Sequence, residues 1–123
     1  MKKQVLLYNI SDKKRALDIR MILMPLKVRI KNVAQKDFIQ PLGYILGLDD
    51  FEAIESFESE SPFADEMMVL AGFTDYDIDF LIRGFRKLKI PGIPLKAVLT
   101  ETNREWDSYR LYGDLKKEHE SFQ

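Results

Sequence analysis

The fold is decided by residues 67–88, which read MMVLAGFTDYDIDFLIRGFRKL. The stretch opens on an unbroken apolar run, which is typical of a buried strand. Thr74 and Asp77 have the spacing of a capping box, in which two side chains satisfy free backbone N–H groups at the start of a helix. Apolar residues then recur at helical spacing, at Ile78, Leu81, Ile82, Phe85 and Leu88. The stretch therefore predicts a strand that leads directly into an amphipathic helix.

The rest of the second half repeats this order. Residues 91–94 are turn-forming, and residues 95–100 predict a second strand. Thr102 and Glu105 again have capping-box spacing, so we expect a last helix from there to about residue 118.

The first half shows the same order of elements. Residues 4–10 and 28–33 predict strands, and a helix that follows Ser11 ends at or before Pro25. A short helix is expected over residues 40–46. The apolar residues of the first helix predict a wide, covered stripe, made of Leu17, Ile19, Met21, Ile22, Leu23 and Met24.

The two halves also align with each other. A slide of 63 residues places Leu7 on Leu70, Asp12 on Asp75, Ile19 on Ile82 and Arg20 on Arg83. After a six-residue insertion, a slide of 69 places Lys27 on Lys96, Leu42 on Leu111 and Leu46 on Leu115. We therefore predict one domain over residues 1–123, made of a βαβα unit at 4–47, an acidic linker at 48–66 and a second βαβα unit at 67–119.

Strands that alternate with helices predict an α/β fold with a four-stranded, predominantly parallel sheet. A ferredoxin-like split arrangement is the alternative, but it needs two neighbouring strands without a helix between them. The repeat does not fix the order of the strands in the sheet.

Composition excludes several classes of protein. The 123 residues include no cysteine and one histidine, so thiol chemistry is excluded and a histidine-rich metal site is not expected. No glycine-rich phosphate-binding motif occurs, and we expect no cofactor and no metal. No apolar run reaches membrane-spanning length, and the start of the chain lacks a signal peptide. We therefore expect a cytoplasmic protein that does not bind membranes.

Charge is distributed unevenly along the chain. Residues 1–36 carry ten Lys or Arg and two acids, whereas residues 49–66 carry eight acids and no Lys or Arg. The simplest interpretation is that the acidic linker lies against the basic N-terminal unit. A nucleic-acid partner is not expected, because no exposed aromatic residues are interleaved with the basic ones.

A run in the second half carries a resemblance. It reads Lys-Ala-Val-Leu-Thr-Glu-Thr-Asn over residues 96–103 and is followed by Trp106, with Met68, Leu111, Leu115 and Glu118-His119 around it. Over about residues 67–119 the chain resembles a family of short bacterial domains of unknown function. The resemblance implies a bacterial origin and highlights Lys96, Thr100, Asn103 and Trp106, but it implies no catalytic residue.

Two groups of residues are candidate sites. Thr100 and Asn103 follow the last strand and Thr74 follows the third, at strand ends where ligands bind in open α/β sheets, so these residues and Lys96 form a candidate ligand site. The alternative is that the polar residues cap helices. Trp106, Tyr109 and Tyr112 form a candidate interface, unless they close the edge of the core.

No catalytic constellation is evident, so we expect a non-enzymatic protein-interaction or regulatory module rather than an enzyme. Its partner would be another protein or a second copy of the chain. The alternative function is binding of a small ligand or anion at the carboxyl ends of the strands.

Overall fold

The computed structural model describes residues 2–55 and 61–121. In chain order, its strands and helices are β1 (Gln4–Tyr8), α1 (Lys13–Leu23), β2 (Arg29–Asn32), α2 (Leu42–Ile45), β3 (Met67–Ala71), α3 (Asp75–Lys87), β4 (Leu95–Val98) and α4 (Ser108–Ser121).

The four strands form one sheet in the order β2-β1-β3-β4. β1 pairs in parallel with β2, and β3 pairs in parallel with β4. The central pair, β1 with β3, is antiparallel, with Leu6 opposite Val69. The α/β class and the four-stranded, predominantly parallel sheet are confirmed, and the one antiparallel pair makes the sheet mixed.

The antiparallel centre follows from burial and handedness. Val5–Tyr8 and all of β3 are buried, so these two strands take the central positions. Strand–helix–strand connections are right-handed in almost all proteins. Here α1 connects β1 to β2, α3 connects β3 to β4, and the two connections lead to opposite edges of the sheet. If both connections are right-handed, α1 and α3 lie on the same face only when β1 and β3 run in opposite directions.

Apolar side chains fill both faces of the sheet. On one face, α1 and α3 cover Val5, Leu7, Met68 and Leu70. On the other face, α2 and α4 cover Leu6, Tyr8, Met67 and Val69. α1 and α3 approach closely at Gly84, where an added Cβ would collide with the Ile22 side chain.

The last helix begins later than the sequence indicated. Residues Asn103–Glu105 form a 3₁₀ turn, and Thr102 makes no side-chain cap there. The helix starts only at Ser108, and the Asp107 carboxylate accepts from the Arg110 N–H at 2.8 Å. Similarly, Asp12 rather than Ser11 caps α1, with its carboxylate accepting from the Arg15 N–H.

The described parts of the acidic linker are fixed to the core. Phe63 is buried, and the Gln40 side-chain amide both donates to and accepts from the backbone of Ile54, at 2.9 and 2.7 Å. Phe51 packs so closely on Gly43 that any larger residue at 43 would collide with its ring. Residues 56–60 of the predicted linker lie outside the described residues. The described parts of the segment therefore pack mainly over the α2 and α4 face, and its last residue, Glu66, pairs with Arg15 of α1.

Candidate interaction surface

Thr74 begins α3 in the predicted capping box. Its hydroxyl accepts from the Asp77 N–H at 3.2 Å, and its own N–H donates to the Asp77 carboxylate at 2.9 Å. Lys3 Nζ lies 3.0 Å from the other Asp77 oxygen. The N–H groups of Thr74 and Asp77 are therefore already paired with side-chain oxygens of the protein itself.

The Asp77 contacts predict a specific pH dependence. The hydrogen bond from Thr74 N–H and then the Lys3 ammonium hold the pKa of Asp77 below its ordinary value. A carboxylate with a lowered folded-state pKa stabilises the fold above its unfolded-state pKa, and that stability is lost as the pH falls through the folded-state value. Asp77→Asn should therefore lower stability at pH 7 and flatten the loss of stability as the pH falls below the unfolded-state pKa of an aspartate.

Urea unfolding at a series of pH values measures this effect. Asp75→Asn, which alters an exposed carboxylate of the same turn, should keep the wild-type slope. An unchanged slope for Asp77→Asn would show that this carboxylate does not couple folding to pH.

Thr100 and Asn103 are brought together at the end of β4. The Thr100 N–H donates to Asn103 Oδ1 at 2.8 Å, the Asn103 N–H donates to Thr100 Oγ1 at 3.0 Å, and Asn103 Nδ2 donates to the Val98 carbonyl. Lys96 Nζ donates to the Ile93 carbonyl at 2.7 Å, and burial lowers the pKa of Lys96. Of the predicted ligand site, the structure thus joins Thr100 with Asn103, whereas Lys96 and Thr74 bond elsewhere.

Trp106, Tyr109 and Tyr112 are all half-buried and pack against the core on the α4 face. Tyr112 stacks on Phe63 with ring centres 4.2 Å apart, and its hydroxyl donates to Asp65. Tyr109 meets Phe63 edge to face. The Arg110 guanidinium lies over the Trp106 ring, 4.4 Å from its centre. These aromatic side chains hold α4 and the end of the acidic segment against the sheet.

A more exposed apolar group lies on α1 and on Met24, the residue that caps its C-terminal end. Leu17 and Met21 are each 56% exposed and Met24 is 65% exposed. At about 100° per residue, these three side chains form a ridge on the side of α1 opposite the buried Ile19 and Ile22. The sequence interpretation placed the ridge residues in the covered stripe, which is wrong. The helical angle separates the two groups and was the signal available in the sequence.

A groove beside the ridge separates α1 from β2. One cavity, of about 270 Å³, is lined by Leu7, Ala16, Leu17 and Ile30 together with Lys13 and Arg20. The adjoining cavity, of about 300 Å³, also includes Arg20 and Ile30. A third, of about 210 Å³, lies at the start of β2 beside Lys27 and Arg29. Among the described residues, no carboxylate lines any of these three cavities.

We call this region the α1–β2 surface; it comprises Lys13, Leu17, Arg20, Met21, Met24 and Ile30 around the groove, with Arg29 and Lys31 on the other face of β2. It combines exposed apolar side chains with Lys and Arg. Described ion pairs of the acidic segment join Asp50 to Arg104, Asp65 to Lys116, and Glu66 to Arg15 near the start of α1. In the part of the chain that the structure describes, the α1–β2 surface therefore keeps an unbalanced positive charge.

A larger open groove, of about 630 Å³, lies beside the start of α1 and the residues before β4. Its main charges already pair with each other. Arg15 Nε and a terminal nitrogen donate to the two Glu66 carboxylate oxygens at 2.7 Å, and Arg15 also donates to the Pro91 and Gly92 carbonyls. This groove is thus braced by an internal ion pair.

The comparison with protein families covers the second half. Residues 66–122 match the family model of DUF3783, a domain of unknown function. The expected resemblance to an uncharacterised family is thereby confirmed. The DUF3783 match begins just before β3 and takes in α3, β4 and α4, so the α1–β2 surface lies outside it. No curated protein and no solved structure matches the chain.

Within residues 2–55 and 61–121, none of the helices is long and apolar enough to cross a membrane. No three His, Cys, Asp or Glu side chains in those residues lie where they could hold a metal ion together.

Proposed function

We propose that this protein is a small, cytoplasmic, non-enzymatic interaction module that binds another protein through its α1–β2 surface. The observation that carries the proposal is the exposed ridge of Leu17, Met21 and Met24 beside a groove lined by apolar and basic side chains. Contiguous exposed apolar residues with a polar rim are typical of protein-binding surfaces.

The ridge can supply useful binding energy. Burial of a whole Leu or Met side chain stabilises by about 1.5–3 kcal/mol. Because each ridge residue is more than half exposed, covering it would contribute about 1 kcal/mol. The neighbouring Lys and Arg would add speed of association and selectivity rather than most of the affinity.

We further propose that the two βαβα units arose from one duplicated unit. The slide of 63 residues carries Leu6 onto Val69, and these two residues face each other at the centre of the antiparallel pair. The outer strands correspond by a slide of 66, not 69, because Arg29 pairs with Gln4 and Leu95 pairs with Met67.

A comparison of the two proposed units shows which side chains of α1 have no counterpart on α3. The 63-residue slide puts Phe80, Gly84 and Lys87 at the positions of Leu17, Met21 and Met24. α3 therefore has no equivalent ridge. Its absence from the second unit supports a role for the ridge in binding rather than in folding.

Photo-crosslinking tests the proposed function. With p-benzoylphenylalanine in place of Met21, we expect one discrete adduct in the source cells, because the probe would lie in the binding surface. Arg20→Glu should weaken that adduct, and excess unlabelled protein should compete for it. The same probe in place of Tyr76, which is 66% exposed on α3, should give no matching adduct.

The alternative, a small-ligand or anion site at the strand ends, ranks second. Thr74, Thr100 and Asn103 would have to give up internal hydrogen bonds before they could bind a ligand.

A further inference from the structure

β2 is an edge strand whose outer backbone groups are oriented away from the sheet. The N–H groups of Arg29 and Val33 donate to the carbonyls of Lys3, just before β1, and Leu7 in β1, each at 3.0 Å. Backbone groups alternate in direction along a strand, so those of Ile30 and Asn32 are directed outward. β2 has β1 as its sheet neighbour on one side, and no strand within residues 2–55 and 61–121 pairs with its other side.

We infer that the partner binds as an extended acidic segment that adds a fifth strand to the β2 edge. The inference rests on the proposed function and deepens it by naming the partner's conformation and charge. Backbone hydrogen bonds to Ile30 and Asn32 would supply affinity, as in other strand-addition complexes. Side chains alternating along the added strand would supply specificity.

The side chains of β2 indicate which residues of the added strand should be apolar and which acidic. Ile30 and Asn32 line the groove beside α1, so every second residue of the added strand would meet Ile30 and the Leu17 ridge. Arg29 and Lys31 alternate with them on the other face of the strand, where Lys31 Nζ donates to the Ile45 carbonyl. An added strand therefore fits best when apolar residues alternate with Asp or Glu.

The same charges disfavour a second copy of the chain. Pairing of β2 with β2 would bring Arg29 and Lys31 close to their own copies, and like charges on adjacent strands repel. Basic residues on an edge strand are a common protection against self-pairing. Here that protection also selects an acidic partner, because an acidic strand removes the repulsion.

A nucleic acid fits less well. None of the residues lining the three cavities of the α1–β2 surface is aromatic, so bases would have no ring there to stack on. A phosphate backbone would also leave the Leu17, Met21 and Met24 ridge in water.

The test is an ¹⁵N–¹H NMR titration of the intact protein with a ten-residue peptide in which glutamate alternates with valine. We expect the largest shifts at Ile30 and Asn32 and slower amide exchange at both. Lysine in place of the glutamates, or N-methyl groups on the peptide's bonding amides, should each weaken binding about tenfold or more. Lys31→Glu should do the same, and Lys87→Glu on α3 should not.

Several outcomes would overturn the inference. Equal binding of the N-methylated peptide, shifts confined to α1, or no binding at millimolar peptide would exclude strand addition. Tighter binding of single-stranded oligothymidylate would identify a nucleic-acid surface, and concentration-dependent broadening of β2 signals without peptide would identify a second copy. A Met21-specific crosslink alongside any of these results would leave the protein-interaction proposal standing.

Discussion

Phe63→Ala should lower the free energy of unfolding by about 3–5 kcal/mol, the usual cost of removing a buried aromatic ring. Phe63 is 7% exposed, although it lies in the acidic segment. Its ring stacks on Phe38 at 4.7 Å and on Tyr112 at 4.2 Å, so it joins the segment before α2 to α4. Its removal would leave a cavity between two rings that cannot both move into it.

Urea unfolding measured by far-UV circular dichroism provides the value. Ile54→Ala is the matched control, because Ile54 lies in the same segment but is 49% exposed, and it should cost less than about 1 kcal/mol. Phe63→Leu should fall between the two variants, because leucine fills part of the space. A loss below about 1 kcal/mol for Phe63→Ala would show that the end of the acidic segment contributes little to the core.

Arg15→Ala should lower the free energy of unfolding by about 2–3 kcal/mol. Arg15 donates two hydrogen bonds to Glu66 and one each to the Pro91 and Gly92 carbonyls. These contacts tie α1 of the first unit to the residues before β3 and before β4. The Arg15 and Glu66 side chains are 16% and 27% exposed, so water replaces the lost partner only in part. The expected loss is therefore smaller than for a fully buried pair.

Two comparisons isolate this ion pair. Arg83→Ala removes a pair with Asp79 in which both side chains are more than half exposed, and it should cost about 0.5 kcal/mol or less. Arg15→Lys keeps the charge but cannot bridge both Glu66 oxygens, so it should recover only part of the stability. Additive effects of Arg15→Ala and Glu66→Ala in a double-mutant cycle would show that the two residues are not coupled.

Local structure followed from local sequence. The capping box of Thr74 and Asp77 was predicted from two residues three positions apart, and the structure contains both of its hydrogen bonds. The apolar run before it predicted β3 because a strand buried on both faces needs no alternation. The same spacing at Thr102 and Glu105 predicted a cap that the structure does not form, so local features were readable only in part.

Features that depend on contacts between distant residues could not be predicted from the sequence. The antiparallel pairing of Leu6 with Val69 joins residues far apart in the sequence, and no local pattern encodes the direction of that pairing. The anchoring of Ile54 by Gln40 likewise joins two residues that no local pattern connects. The charge of the acidic linker predicted only that it lies against the basic unit, whereas the Phe51 and Phe63 contacts fix its described parts to the core.

The candidate surface was missed for a different reason. Leu17, Met21 and Met24 are apolar, and apolar helical residues were assumed to be covered by the core. The angular separation between these residues and Ile19, Ile22 and Leu23 shows that α1 has two apolar sides. Only one apolar side of α1 can pack against the sheet. The other apolar side, formed by Leu17, Met21 and Met24, is therefore not explained by packing of the core.

The most direct test of the α1–β2 surface is the comparison of photo-crosslinking at positions 21 and 76. We expect one adduct from position 21, weakened by Arg20→Glu and mapped by mass spectrometry to a single protein. We expect no matching adduct from position 76, although Tyr76 is as exposed as Met24. Equal adducts from both positions, or an adduct at 21 that Arg20→Glu leaves unchanged, would contradict binding through the α1–β2 surface.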